Sequence, residues 1–138
     1  MRIQYKTDLP DLNQYFLLFN STGWNEDYKL TKEELYSTLK KSYYNVPVYD
    51  NEKLIGFGRV FSDGVLHTMI YEMIVLPEYQ GTSIGREILN MLVKECLKNN
   101  IRDIQLFCAK GKRKFYEKYG FVERSEEEPG MELFKPCE

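Results

Sequence analysis

Along the chain the spacing of apolar residues shifts between a period of two and a period near 3.6, and each shift marks an element. Arg2-Ile3-Gln4-Tyr5-Lys6 alternates and predicts a first strand. Leu12, Tyr15, Phe16 and Phe19 then recur on one helical face, so a helix capped by Asp8 and running to about Phe19 is expected. Asn20 to Asn25 reads as a loop holding Gly23 and the only tryptophan, Trp24. Thr31-Lys32-Glu33-Glu34 has the form of a capping box, with Leu30 and Leu35 as its hydrophobic staple, and predicts a second helix from about Lys32 to about Ser42. Val46 to Tyr49 reads as a strand, its Pro47 favouring the start or an edge. Leu54 to Phe61 and Val65 to Leu76, joined by Ser62-Asp63-Gly64, form a hairpin signal.

The most informative stretch is Tyr71 to Lys98, a strand, a short glycine-containing loop and a helix. Pro77 stops the strand because it has no N–H for the ladder. The helix carries Ile84, Ile88, Met91 and Leu92 on one stripe with Leu89, Val93, Cys96 and Leu97 beside it, and Glu87, Asn90, Lys94 and Lys98 opposite. That is the pattern of a helix packed on a sheet. Ile104 to Cys108 follows as a strand, so a right-handed parallel crossover is expected. Lys112 to Tyr119 predicts a short helix closed by Gly120. In it Phe115 and Tyr119 face the core with Phe121, while Tyr116 is rotated off that face. Phe121 to Glu123 and Met131 to Phe134 read as the last strands. The fold class is α/β (α+β): one domain over residues 1–138, a mixed, mostly antiparallel twisted sheet flanked by about four helices.

Composition narrows the chemistry. A length of 138 residues supports one core, and a formal charge of −2 gives no general drive towards nucleic acid or an anionic membrane. No apolar run is long enough to span a bilayer and the N-terminus lacks a signal-peptide pattern, so a soluble cytoplasmic protein is expected. Cys96, Cys108 and Cys137 are scattered and odd in number, which suits a reducing compartment. One histidine and no paired cysteines argue against a metal site. The start of the long helix, by contrast, offers unpaired N–H groups and small residues at 81, 83 and 85, a ready place for a pyrophosphate.

Two motifs carry a resemblance. Val75-Leu76-Pro77-Glu78-Tyr79-Gln80-Gly81-Thr82-Ser83-Ile84-Gly85 resembles the acyl-CoA signature of the GNAT acetyltransferases, V-x-P-x-Y-[QR]-x-x-G-x-[GA]. Ser83 stands where the family usually has glycine. That departure matters only if position 83 needs a positive φ, and serine otherwise suits a helix N-terminus. Phe115-Tyr116-Glu117-Lys118-Tyr119-Gly120-Phe121 resembles the family's F-Y-x-x-x-G-F. The resemblance implies a GNAT-like fold and an N-acetyltransferase that moves an acetyl group from acetyl-CoA (coenzyme A) to a primary amine by direct attack in a ternary complex. The alternative is a non-catalytic acyl-CoA-binding sensor or interaction module of the same fold. It also implies that Met73, Ile74 and Val75 lie along the pantetheine arm where the neighbouring strands splay, with a backbone N–H for the thioester oxygen. Gln80, Gly81, Thr82, Ser83, Ile84, Gly85 and Arg86 would hold the pyrophosphate. Lys112, with Lys110, Arg113 and Lys114, would meet the 3′-phosphate or else form a solvated basic helix start.

Individual side chains leave paired readings. Tyr116 is the candidate acid that protonates the leaving thiolate, or an ordinary half-buried tyrosine. Glu72, the lone charge in an apolar strand, is the candidate base, or a strand-face glutamate that reaches water or an arginine such as Arg59. His67 at the hairpin reads as solvent-facing, and Cys108 has no neighbouring group to activate it. Trp24, Tyr28, Phe57 and Glu72 are the candidates for the acceptor pocket, Trp24 equally as a seal on the core edge. The expected partner is a small-molecule or protein amine, with no nucleic acid and no membrane, and with a homodimer left open.

Overall fold

The hairpin predicted around Ser62-Asp63-Gly64 forms the middle of the sheet in a computed structural model that describes residues 1–133. Its arms are β4 (Lys53–Ser62) and β5 (His67–Val75). Asp63 fixes the turn by accepting the backbone N–H groups of Val65 and Leu66 at 2.8 and 2.7 Å. Outward from β4 come β3 (Val48–Asp50) and β1 (Ile3–Tyr5), with β2 (Tyr44–Asn45) also pairing with β4. All of these pairs are antiparallel. On the other side, β6 (Asp103–Leu106) runs parallel to β5, so the sheet is mixed and mostly antiparallel as expected. The strand predicted over Val46 to Tyr49 is interrupted instead: Pro47, which has no N–H to donate, sits between β2 and β3.

Three helices lie between β1 and β2 in the chain. α1 (Leu12–Asn20) is capped by Asp11, whose carboxylate accepts Gln14 N–H at 3.1 Å, and not by Asp8 as the sequence suggested. The reason is Pro10, which pushes Leu9 away from helical backbone and delays the start. α2 (Asn25–Tyr28), a single turn, begins where the expected Asn20 to Asn25 loop ends and has no counterpart among the predicted elements. α3 (Lys32–Leu39) begins with the expected capping box, Thr31 and Glu34 exchanging side-chain bonds at 3.1 Å each. It ends three residues before Ser42, at Leu39. Tyr15, Leu18 and Phe19 of α1 and Leu35 and Leu39 of α3 bury together with Leu54, Phe57 and Ile74 of the sheet.

The fourth, α4 (Ile84–Lys98), buries Ile84, Ile88, Leu89, Leu92 and Cys96. Each fully buried leucine or isoleucine contributes about 1.5–3 kcal/mol. Leu97, expected on the apolar side, is exposed. Gly58 lets the helix come close, since a Cβ there would lie 2.6 Å from Ile88 Cγ2 and 3.1 Å from Leu92 Cδ1.

The chain divides into two compact units, the first being Met1–Phe107 and the second starting at Cys108. The second unit holds α5 (Arg113–Glu117), shorter than the predicted Lys112 to Tyr119. Gly120 follows it at φ +93°, where Phe121 N–H bonds back to Tyr116 O at 3.2 Å. Among the described residues no strand follows Leu106. Phe121 to Glu123 and Met131 to Leu133 are irregular, contrary to expectation, because strand propensity without a paired neighbour does not make a ladder. Phe134, which ended that second reading, lies outside the described residues, as does Cys137.

Candidate functional site

The site is built where β5 outlasts its parallel neighbour. β5 and β6 pair from His67–Asp103 to Ile70–Leu106, but β5 continues to Val75. Just past the last pair, the β4–β5 register shifts. Phe57 faces Ile74 and Arg59 faces Tyr71, so Glu72 and Met73 together oppose Gly58. This is a β-bulge, and Glu72 takes φ +50°, a left-handed backbone that glutamate rarely adopts. Beyond the bulge, Gly56 faces Val75, and Leu76 N–H donates to Ile55 O at 2.9 Å. Antiparallel alternation then turns Val75 N–H and C=O away from β4, towards the side that β6 has left. Gln80 Nε2 holds that Val75 carbonyl at 2.8 Å. The Gln80 side chain is thus a tie between strand and loop.

The chain then bends through a 3₁₀ turn, Pro77–Tyr79, into α4. Gly81 has φ +77° and open space around its missing Cβ. Only glycine takes this backbone without strain. Ser83 has φ −86°, so serine costs nothing at that position. It occupies the N-cap without a side-chain capping bond. Thr82 Oγ1 donates to Tyr79 O at 2.7 Å and receives Ile84 N–H at 3.4 Å. Gln80, Gly81, Thr82, Ser83 and Arg86 are exposed, whereas Ile84 is buried under the helix. An exposed, small-residue backbone at the positive end of a 15-residue helix suits a phosphate-bearing ligand.

Behind the bulge lies an ion pair. Arg59, 4 % exposed, donates Nε to Glu72 Oε2 and Nη2 to Glu72 Oε1, both at 3.2 Å. Its Nη1 reaches Thr38 O at 2.8 Å and Ser42 Oγ at 3.1 Å, and its guanidinium lies 4.4 Å over the Phe61 ring. Of the two readings of Glu72, the paired one describes its contacts. Nearby, the Tyr15 hydroxyl is buried without a partner among the described residues, and burial pushes its pKa up, with the Glu72 charge adding to the effect.

The other predicted side chains are spread more widely. Phe57 is fully buried, its ring 4.9 Å from that of Tyr15, so it belongs to the core and does not line an acceptor pocket. Trp24 packs edge-on to Phe19 at 5.8 Å while keeping 38 % of its surface exposed, and Tyr28 is largely exposed. Met73 and Val75 are half-buried and Ile74 is core. His67 is exposed, with Nδ1 2.7 Å from Asp103 Oδ2. Cys108 is an exposed free thiol. Among the described residues no cluster of metal-ligand types occurs.

In the second unit, Lys112 sits exposed at the N-cap of α5. Tyr116 differs from expectation. It is the buried residue of α5, and Phe115 and Tyr119 are only half-buried. Its ring lies 5.1 Å from Phe115 and 6.0 Å from Phe121. One-turn helices leave the inward face to be decided by the chain that follows, and Phe121 folds back on Tyr116. Burial, with the charge of Cys108 as a smaller cause, pushes the Tyr116 hydroxyl up to about 12.

Comparisons with known proteins agree with this architecture. The family model of the acetyltransferase (GNAT) domain matches residues 20–131. The uncharacterized N-acetyltransferase ycf52 of Pyropia yezoensis is 28% identical over 133 residues, covering 92% of this chain and 75% of the relative. A crystal structure of a probable acetyltransferase from methicillin-resistant Staphylococcus aureus superposes with a TM-score of 0.81 at 26% identity, over 97% of this chain and 100% of that one. A predicted acetyltransferase from Clostridium acetobutylicum, crystallised with acetyl-CoA, matches with a TM-score of 0.72 at 22% identity over 96% of each chain. The chain belongs to the GNAT acetyltransferases, with their mixed sheet and flanking helices.

Proposed function

We propose that this protein is an acetyl-CoA-dependent N-acetyltransferase that passes the acetyl group directly to a primary amine. The observation that carries the reading is the strand β5, which runs past its parallel partner with Val75 N–H turned to the open side and leads straight into the Gln80–Arg86 helix start. The residues present fit the donor. The bare Gly81 backbone and the first-turn N–H groups of α4 suit a pyrophosphate, and the open edge of β5 suits the amide-bearing pantetheine arm. When bound, acetyl-CoA supplies an activated acetyl thioester.

The chain's own groups do the rest. Val75 N–H is a fixed backbone donor for an oxygen that gains charge during transfer. Glu72 is proposed to take the proton of the amine, directly or through water, from a position held by Arg59. Tyr116, with its hydroxyl pushed up to about 12, keeps its proton at neutral pH and is the proposed acid, on the strength of its motif. Lys112 is proposed to meet the 3′-phosphate, and Trp24 and Tyr28 the acceptor. The acceptor class, a small amine or an exposed protein amine, follows from the attack that the family chemistry needs.

The experiment is a screen for CoA thiol release across an amine panel, with CoA binding measured in parallel by calorimetry. Amine-dependent thiol release supports the enzyme. Binding without release on any amine supports the sensor module instead.

A further inference from the structure

Glu72 holds a backbone conformation foreign to its residue type, at the point where β5 parts from β6. A left-handed glutamate persists only when its surroundings hold it there. Those surroundings are specific. The neighbour across the bulge, Gly58, spends its own backbone groups on Val46, with N···O distances of 2.8 and 3.2 Å, and so offers β5 no ladder bond at this point. The carboxylate of Glu72, by contrast, is gripped on both oxygens by Arg59. Arg59 is in turn anchored to Thr38 O, in the last turn of α3, and to Ser42 Oγ just beyond it. Four hydrogen bonds and a ring face hold the guanidinium in place.

We infer that Arg59 is the positioning residue of the acyl-donor site: by clamping the Glu72 carboxylate to the end of α3, it holds the bulge that frees the Met73–Val75 edge of β5 from β6. This rests on the acyl-CoA reading above. The role is distinct from any part Glu72 takes in proton transfer, because it acts on donor binding before an acceptor arrives. It also separates Arg59 from an ordinary buried ion pair, whose loss lowers stability without moving the affinity of the fully folded protein.

The test is calorimetric titration with CoA at a temperature well below the melting point of every variant, with melting followed by circular dichroism. Arg59→Met should weaken CoA binding tenfold or more while the protein is still folded. Adding Glu72→Gly to it removes the orphaned carboxylate and lets position 72 take φ +50° without strain, so affinity should return to within about threefold of the wild type. Adding Glu72→Gln also removes the charge but keeps the strained side chain, and affinity should stay low. If Arg59→Met does not fold, Arg59→Lys, which keeps a charge but not the fork, should show the same loss and is measured in its place. CoA affinity within twofold of the wild type in the single variant overturns the inference, as does equal recovery by Gln and Gly. Absence of CoA binding by the wild type removes the acyl-CoA reading, and the inference with it.

Discussion

The Tyr79 hydroxyl donates to Asp50 Oδ2 at 2.5 Å, tying the 3₁₀ turn before the Gln80–Ser83 loop to the end of β3. Asp50 Oδ1 also accepts Arg2 N–H at 3.0 Å, so one carboxylate joins the start of β1, the end of β3 and the turn that aims the loop. The bond from Tyr79 is the main reason the Asp50 carboxyl lies below its ordinary pKa, with the Arg2 N–H next. The same bond raises Tyr79.

Tyr79→Phe should therefore weaken CoA binding by a few-fold in calorimetry, through looser placement of Gln80 to Ser83, with little change in far-ultraviolet dichroism. The pH dependence has a definite sign. A lowered Asp50 stabilises the fold above its unfolded value, about 3.9, and that stabilisation is lost as pH falls through the lower folded value. A raised Tyr79 stabilises below about 10 and loses that as pH rises through its higher folded value. The melting temperature of wild type minus Tyr79→Phe should be flat from about pH 5 to 9 and shrink beyond both ends. A difference that peaks inside that window would remove the tie as its source.

The glycine loop divides the work between two positions. Gly81 needs its positive φ, so Gly81→Ala should cost roughly 1–2 kcal/mol in urea unfolding from backbone strain alone. Gly81→Glu should add charge against the pyrophosphate and abolish measurable CoA binding. Ser83 sits at an ordinary φ with no capping bond from its hydroxyl, so Ser83→Gly should leave CoA affinity within a few-fold. A tenfold loss would mean that the hydroxyl itself touches a phosphate.

What was legible in the sequence is what local chemistry decides. Thr31 and Glu34 form their box three residues apart, and Gly81 takes the turn that its type permits. The periodicity of Ile84, Ile88 and Leu92 found the helix under the sheet. Pairings across long separations were less visible. The role of Asp50 has no local signal, because its partner Tyr79 lies 29 positions on. Arg59 was named beside Glu72, but neither the left-handed backbone at Glu72 nor the grip on α3 leaves a sequence signal. The inward turn of Tyr116 is not legible, because a helix of five residues has no reliable face and Phe121 decides which side turns inward. Phe57 is core and not acceptor lining, because its place in mid-strand sets its ring against Tyr15.

Gly58 gives a test of the packing that sets the distance between α4 and the sheet. A Cβ at this position would meet Ile88 Cγ2 at 2.6 Å, Met73 Sδ at 3.0 Å and Leu92 Cδ1 at 3.1 Å. Ile88 and Leu92 are fully buried, so neither lies where it can simply swing out into solvent. Gly58→Ala should destabilise by about 1–3 kcal/mol, the range for overpacking a filled core. Because Met73 belongs to the open edge of β5, CoA affinity should fall as well. An unchanged urea midpoint would show that α4 can move outward at no cost.

Tyr116 decides between an enzyme and a binding module. Its hydroxyl is pushed up to about 12 by burial, so it holds its proton throughout the neutral range. Ionisation of Tyr116 therefore does not draw an alkaline limb below about pH 10, where a free tyrosine would titrate. Activity should keep rising with pH as the acceptor amine loses its proton, up to the limit of stability. Tyr116→Phe removes one oxygen and keeps the ring contacts with Phe115 and Phe121, so folding and acetyl-CoA binding should survive. Turnover should drop by roughly 10²-fold, the usual loss for a general acid. The drop should appear equally in kcat and kcat/KM, as for an interaction made only in the transition state. Steady-state rates on the best amine of a panel, from pH 6 to 10, provide the measurement. An unchanged kcat under chemistry-limited conditions would take Tyr116 out of the mechanism, while a wild type that binds CoA yet releases no thiol on any amine would favour the sensor.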